Sequence, residues 1–539
     1  MAFGTMSVGA SGVKAYSDEM QVISNNLANI STVGFKGSRT VFRDLMSTEI
    51  NTGAASTEPT VTGFFNQIGK GVAVADIQVQ HSQGAIEPGS KTTDMAVNGK
   101  GFFGVHDPSE DVMLYTRDGN MRFDKDGYLT NSHGYRLMGM KMDPDTGSIT
   151  DTATDIKLNV EQETNAWGQT VNVVKNDPKA TSSLDIISNL DSKAADRTSD
   201  DDDPFFALFK KWNGNSTAPL AGTSYGHSTT IKVYDSEGGA HNLSVYFDKV
   251  ATSGAGGNTY WEYMVASAPS EDGRAATKGT SAAGVFMIGT MTFNGFGDMV
   301  GQSAYTLDGG GGEVKNLSNW SASTFSSGQP AFTASFTTSG GGVSDPQTIG
   351  LDFGVHSQSG AWSESGATAA QVGSNAGALP NLDQLGRDAM TSTGFAGAMA
   401  TLNQSQDGYG VGYLNNVEID GDGILTANYS NGVSEDLYQI GLFCFKNNFG
   451  LRREGGNMFR ATPQSGEAIL GSPNDFKPGG GVGDKYGFGL IQANALETSN
   501  VDMAEQFSRM IVNQHALQAN TKVVSTSDEL YKTALGLKR

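Results

Sequence analysis

The chain has 539 residues, 71 of them glycine, and a formal charge of −21 at neutral pH. This length calls for several domains, each able to bury a core, and the acidic balance argues against nucleic acid and anionic membrane surfaces as partners. No apolar run reaches the roughly 18 residues of a membrane-spanning helix, and the opening MAFGTMSVGASGVKAYSDEM lacks the apolar stretch of a cleaved signal peptide.

The first predicted element is a helix over residues 5–32. Val13, Tyr16, Met20, Ile23, Leu27 and Ile30 repeat at spacings of 3, 4, 3, 4 and 3, the pattern of a helix burying one stripe against another helix. Gly34, in Gly34-Phe35-Lys36-Gly37, stands where a helix C-terminus favours glycine. The opposite face carries Ser17, Gln21, Ser24, Asn25 and Asn29, with only Lys14, Asp18 and Glu19 charged. A solvated face is richer in charge, so neighbours are expected on most sides of this helix.

Residues 38–93 form a connecting segment with few signals, and from residue 94 the pattern becomes hairpins, with Asn98-Gly99, Asp118-Gly119 and Asp126-Gly127 as turns. Phe123–Thr130 (FDKDGYLT) is echoed in type by Ile419–Thr426 (IDGDGILT), and Asn431-Gly432 supplies a further turn. One inner β domain built from residues 94–156 and 401–477 is therefore expected, interrupted by an insertion over 157–400. The insertion shows strand-like runs at 230–234, 243–247 and 259–263, separated by Gly and Ser clusters such as Gly309–Gly312, which reads as one or two all-β outer domains. Asp200–Asp203 reads as a solvated loop. Cys444, the one cysteine, lies in the apolar run Ile440–Phe445 and is expected to be a buried, inert thiol.

Residues 478–498 open with PGGGVGDKYGFG, a flexible link into a last helix at 499–539. There Met503, Phe507, Met510, Gln514, Leu517, Thr521 and Val524 step at 4, 3, 4, 3, 4 and 3. Ser499-Asn500-Val501-Asp502 fits a capping box, while Asp502 and Glu505 at the start and Lys532, Lys538 and Arg539 at the end complement the helix dipole. Helical over 500–535, the segment would be about 54 Å long. Gln514, Thr521 and Asp528 interrupt the stripe every seven residues, where polar groups fix register at a cost in stability. The expected fold is multidomain and mainly β, with discontinuous nested β domains on a terminal α-helical coiled-coil bundle formed by residues 1–37 and 499–539.

Catalytic chemistry finds little support. Gly222–Gly226 matches G-x-S-x-G, but a nucleophile elbow must lead from a strand into a helix and this one leads into the alternating Thr229–Tyr234 run. Asp-x-Asp-Gly at 124–127 and 420–423 lacks the glycine and glutamate positions of a calcium loop and reads as hairpin turns. The seven histidines show no zinc spacing, no phosphate-binding loop is present, and no carboxylate pair is singled out for glycoside hydrolysis. No enzyme activity, cofactor or metal is expected.

Ser24-Asn25-Asn26-Leu27-Ala28-Asn29-Ile30-Ser31-Thr32-Val33-Gly34-Phe35-Lys36 resembles the N-terminal motif of bacterial flagellar rod, hook and hook-junction proteins. Leu496-Glu497-Thr498-Ser499-Asn500-Val501-Asp502, with Met510–Gln514 and Gln518–Asn520, resembles their C-terminal motif; His515 stands where that family often has arginine. Asn428–Gly432 and Phe445–Leu451 look like its inner β domain, and Asn189–Ser192 with Thr229–Asp235 and Ala240–Phe247 resembles the outer domain of its hook members. The resemblance implies a structural subunit of the flagellar hook, a curved flexible tube transmitting torque from rod to filament. It implies self-assembly as a helical homopolymer, contacts with rod, hook-cap and hook–filament junction proteins, and uncleaved type III export to an extracellular position. The two apolar stripes are then the expected polymer interface. The alternatives are another axial protein, such as a distal rod or junction subunit, or an exported β-rich adhesin or hydrolase.

Overall fold

A computed structural model describes residues 2–49, 67–143, 146–164, 167–253, 257–308, 313–338, 340–363, 368–473 and 487–536. They form two units: residues 1–174, 414–429 and 434–539, and residues 175–413 with 430–433. The architecture is mainly β with a helix at each end of the chain, and the first unit is built from both sides of the insertion.

In the first unit the N-terminal helix (Ala2–Ala28) and the C-terminal helix (Met503–Gly536) pair antiparallel, with Thr5 against Ser527 and Asn26 against Gln506. The first helix ends four residues before the expected 32, where Asn29 N is shared between the carbonyls of Asn25 and Asn26 at 3.2 Å each and Ile30 N turns to the Leu27 carbonyl, tightening the last turn. Gly34 therefore does not cap it. Gly34 has φ +68°, and a Cβ there would lie 2.6 Å from Asp118 N, so glycine serves a close approach to the β domain. The second helix starts at Met503 and not near 499–500: Asp502 Oδ1 accepts from Ala504 N (2.7 Å) and Glu505 N (3.1 Å), an N-cap in place of the expected box. Lys538 and Arg539 lie outside the described residues, as do Gly309–Gly312 and most of the 478–489 link.

Strands Ser38–Asp44 and Val72–Val79 pair antiparallel beside the N-terminal helix, with the Tyr16 and Phe42 rings 5.5 Å apart. In the inner sheet, strand Arg136–Met142 pairs with Ser434–Ile440, and Phe102–Asp107 pairs with Leu442–Cys444, joining the two halves. The echoed hairpins share one turn chemistry. Asp124 Oδ1 accepts from the amides of Asp126 and Tyr128, and Asp420 Oδ1 from those of Asp422 and Ile424. Gly127 and Gly423 take φ of +85° and +73°, so these aspartates serve turns. Cys444 is buried there, and burial pushes its thiol up to about 11.

The insertion runs from 175 to 413 rather than from 157 to 400. Ile156 and Leu158 belong to the inner core, whereas Ala400–Gln406 pairs with Ser183–Asn189 in a five-stranded outer sheet. A second, six-stranded antiparallel sheet runs from His227–Tyr234 to Trp320–Ala322. Gly222–Gly226 leads into its first strand. The acidic run is only partly solvated: Asp200 and Asp203 hold Lys210 at 2.9 and 2.6 Å, at a short helix (Ala207–Lys211) seated on buried Phe205, Phe206 and Phe209.

The outer unit also holds a buried proton. Thr198 Oγ1 stands 2.8 Å from both Asp248 Oδ2 and Glu262 Oε1. One hydroxyl has one proton to give, and Asp248 Oδ2 already accepts from the amides of Arg197 and Thr198, so the second hydrogen bond needs a protonated Glu262. Burial, with Asp248 and Asp196 as the charged neighbours, raises the Glu262 pKa well above the ordinary value. The folded chain keeps a proton that the unfolded chain releases above about pH 4.3. This contribution is complete below that pH and is lost as pH rises toward the folded-state value. Glu262→Gln preserves a donor toward Thr198 and an acceptor for Leu208 N while removing the titration. Relative to the unaltered chain it is expected to gain about 1.4 kcal/mol per pH unit until Glu262 ionises, read as thermal midpoints that diverge from about pH 5 upward. Parallel curves would remove the assignment.

Candidate polymer interface

The seam between the terminal helices is polar on one side and small on the other. Gln506, Asn513, Asn520 and Ser527 recur every seven residues along the C-terminal helix and face the N-terminal one. Asn26 Nδ2 donates to Gln506 Oε1 at 3.2 Å, and Asn513 Nδ2 donates to the Tyr16 carbonyl at 3.0 Å. A Cβ on Gly12 would meet Asn520 Oδ1 at 2.5 Å, and one on Gly9 would meet Val524 Cγ2 at 2.9 Å. Sequence spacing placed the polar interruptions at Gln514, Thr521 and Asp528. The structure exposes Gln514 and Thr521 and pairs Asp528 with Lys532 at 2.7 Å, so the interrupting ladder lies one residue earlier in each heptad.

The expected interface residues divide accordingly. Val13, Tyr16, Met20, Leu27 and Ile30 are half-buried, as are Met510, Leu517 and Val524 at the edge of the seam. Ile23 is a correction: at 3% exposed it is enclosed within its own chain and offers nothing to a neighbour. Met503 and Phe507 are exposed, joined by Ile511, Val512, Val523, Leu530 and Leu535, all between 43% and 67% exposed. These last five escaped the sequence reading because they lie off the 3/4 stripe. At 3.6 residues per turn, Met503, Phe507 and Ile511 share one flank and Val512, Val523 and Leu530 another, roughly 140° around the helix. Unusually for an intrachain helix pair, the buried positions of the C-terminal helix, Gln506, Asn513 and Ser527, are polar, while the two apolar flanks are exposed.

Behind the helices, the motif residues build a joint to the inner β domain. Glu497 is fully buried between two cations, with Lys36 Nζ 2.5 Å from Oε1 and Arg117 Nη1 3.1 Å from Oε2. Gly84 N donates to Oε1 at 2.8 Å and Gly34 N donates to the Glu497 carbonyl at 2.7 Å. Lys36 Nζ also donates to the Ser82 carbonyl, and Arg117 to the carbonyls of Val97 and Gly99. Asn500 accepts from Gly37 N at 2.8 Å and donates to Gln80 O and Ser82 O. Asn26 holds both backbone groups of Ser38, and Arg453 donates to the Lys36 carbonyl while lying over the Phe35 ring. His81 sits among Phe102, Phe449 and Phe459, and burial, with Lys36 beside it, brings its pKa down to about 4.

Gly34, Phe35, Lys36, Asn26, Asn500 and Asp502 thus each have a structural task, Val501 packs at Gly37, and Ser499 Oγ accepts from Val501 N at 3.3 Å. Asn25 and Ala28 are exposed, and Asn29 is half-buried. Glu497 stands in the C-terminal motif with no partner legible from sequence, and Arg117 and Arg453 carry no local signal. A lone glutamate ending a short strand reads as solvated until Lys36, more than four hundred residues away, is placed against it. Among the described residues no group of three or more His, Cys, Asp or Glu is arranged to hold a metal, and no helix is long and apolar enough to cross a membrane.

Comparison with known proteins matches residues 6–36 to the family described as flagella basal body rod protein and residues 96–172 to the flagellar hook protein FlgE/F/G D1 domain. Residues 189–409 match the flagellar basal body protein FlaE D2 domain, and 492–537 the flagellar basal body rod FlgEFG protein C-terminal region. The flagellar hook protein FlgE of Treponema pallidum is 31% identical, with 98% of each chain covered. That of Borreliella burgdorferi is 30% identical, again over 98% of each chain, and that of Escherichia coli 27% over 100% of each.

Proposed function

The chain belongs to the flagellar hook protein family, whose members are structural subunits of the bacterial flagellar hook, and we propose that its copies assemble through their terminal helices into the wall of the hook tube. One observation carries this: the C-terminal helix turns polar residues toward its own chain and leaves two apolar flanks exposed. Two different flanks on one helix call for two different neighbours, the condition for a heterologous contact that continues as a helical polymer. Val13, Tyr16, Met20, Leu27, Ile30, Met510, Leu517 and Val524 flank the seam and would complete the packing, and the joint at Glu497 would pass load between this wall and the β domain of the first unit. In this reading the tube meets rod proteins at one end and hook–filament junction proteins at the other, grows beneath a hook cap, and receives uncleaved subunits through the flagellar export apparatus.

Phe507→Asp and Leu530→Asp place a charge on one flank each. Burying it in a helix contact costs several kcal/mol, so both variants are expected to remain soluble, keep the thermal transition of the β units, and form no hooks by electron microscopy. Normal tubes from either variant would remove that flank from the interface.

A further inference from the structure

The first unit carries a groove that its own chain leaves open, and it matches one of the two exposed flanks. It has a volume of about 540 Å³ and lies between the N-terminal helix and strand Val72–Val79. Val22, Val74, Ile77 and Val79 give it an apolar lining, and Ile77 is 48% exposed. Gln21, Asn25 and Ser38 supply uncharged polar groups, and Asp18 and Arg453 its charges, one of each sign. We propose that this groove receives the Met503–Phe507–Ile511 flank of the C-terminal helix of a second copy of the chain.

Three features select that occupant. The groove follows the N-terminal helix from Asp18 to Asn25, about 10 Å or two turns. Met503, Phe507 and Ile511, spaced i, i+4, i+8, present a continuous apolar strip of matching length, as in helix-in-groove recognition. The other flank, Val512, Val523 and Leu530, leaves ten residues between its first two members and cannot fill two turns. The second feature is charge. Beside the strip, Ala504, Ser508, Gln514 and Gln518 are uncharged, and His515, one turn beyond Ile511, is the one titratable side chain next to it, so the strip brings no carboxylate, lysine or arginine against the groove, while its hydroxyl and amides can meet Gln21, Asn25 and Ser38. The third is continuity: a further opening of about 460 Å³ also includes Asp18 and runs on along Val13 to Val524, extending the groove beside the helix pair. The proposal rests on the hook reading for the existence of a polymer and adds which surfaces meet.

The test is disulfide trapping in the full-length chain, whose one native thiol is buried. Ile77→Cys with Phe507→Cys is oxidised in assembled tubes and, separately, in dilute monomer; Ile77→Cys with Leu530→Cys is the control. The expected result is a ladder of covalent multimers from the first pair in tubes only, at least tenfold above the control. Multimers from the control pair instead, or from neither pair in intact tubes, would overturn the proposal. An unaltered chain that forms no tubes would count against the hook reading and not against the groove. A second measurement covers the case in which paired cysteines block assembly. Ile77→Lys and Phe507→Glu are each expected to lower tube yield at least tenfold, and their combination to restore it; a combination no better than either single variant would also overturn the proposal.

Discussion

Glu497→Gln is expected to destabilise the first unit by about 3–5 kcal/mol, the cost of breaking a buried ion pair from one side, and to loosen the C-terminal helix from the inner β domain. The glutamine keeps the shape but leaves Lys36 and Arg117, with side chains 1% and 5% exposed, without a carboxylate. Its amide NH2 also turns a donor toward a donor wherever it replaces an oxygen facing Lys36, Gly84 or Arg117. His81 cannot relieve this, because burial among the same cations already holds it neutral. Lys36→Met is the contrasting variant: it removes one cation and leaves Glu497 paired to Arg117, so a smaller loss is expected. Chemical denaturation gives the stabilities. Hydrogen exchange at the amides of Gly34 and Gly84, which donate to Glu497, and of Thr498, which donates to Ala85, reports whether the joint opens locally. Lys36→Met costing as much as Glu497→Gln would show that the lysine contact, and not the charge balance, holds the joint.

This joint also marks where the sequence was readable and where it was not. The 3/4 spacing located both helices, because helical periodicity is a local property. The Asp-x-Asp-Gly pairs located matching turns, because an aspartate organises its own next few amides. The direction of the helix seam was not local. The 3/4 spacing of Met503, Phe507 and Met510 marks an apolar stripe but not which residues meet the chain's own first helix: Gly9 and Gly12 leave room for the Asn520 side chain and Val524, and the polar ladder turns inward to fill it. Gly34 was read as a helix cap because glycine serves both caps and close approaches, and only the position of Asp118 distinguishes them. The short helix at Ala207–Lys211 was lost in a stretch read as all-β, since five residues are too few to show a period.

Deleting residues 175–413 is expected to leave a chain that still polymerises, into tubes straighter than those of the full-length subunit. Lys175 and Tyr413 are register partners in antiparallel strands, so residues 174 and 414 lie next to each other and a short Gly/Ser linker can close the gap. The inner core retains its members from both halves, including Leu158, Val417 and Ile419, and the Ser430–Val433 turn remains as the connection between strands Ile424–Tyr429 and Ser434–Ile440. The terminal helices, the Glu497 joint and the groove beside strand Val72–Val79 are untouched, so every surface assigned above to tube contacts survives. What is removed is a unit with a five-stranded and a six-stranded sheet, a two-stranded ribbon (Val355–Ser357 with Leu385–Arg387) and its own buried clusters. Contacts that this unit makes with its counterparts in neighbouring subunits would be lost, and with them any contribution they make to the difference between the two sides of a bend. Electron microscopy of hooks from a strain carrying the deletion measures both yield and curvature. Loss of all polymer, with the shortened subunit still exported and folded, would mean that the outer unit supplies essential assembly contacts, and that the helices position subunits without being sufficient to join them.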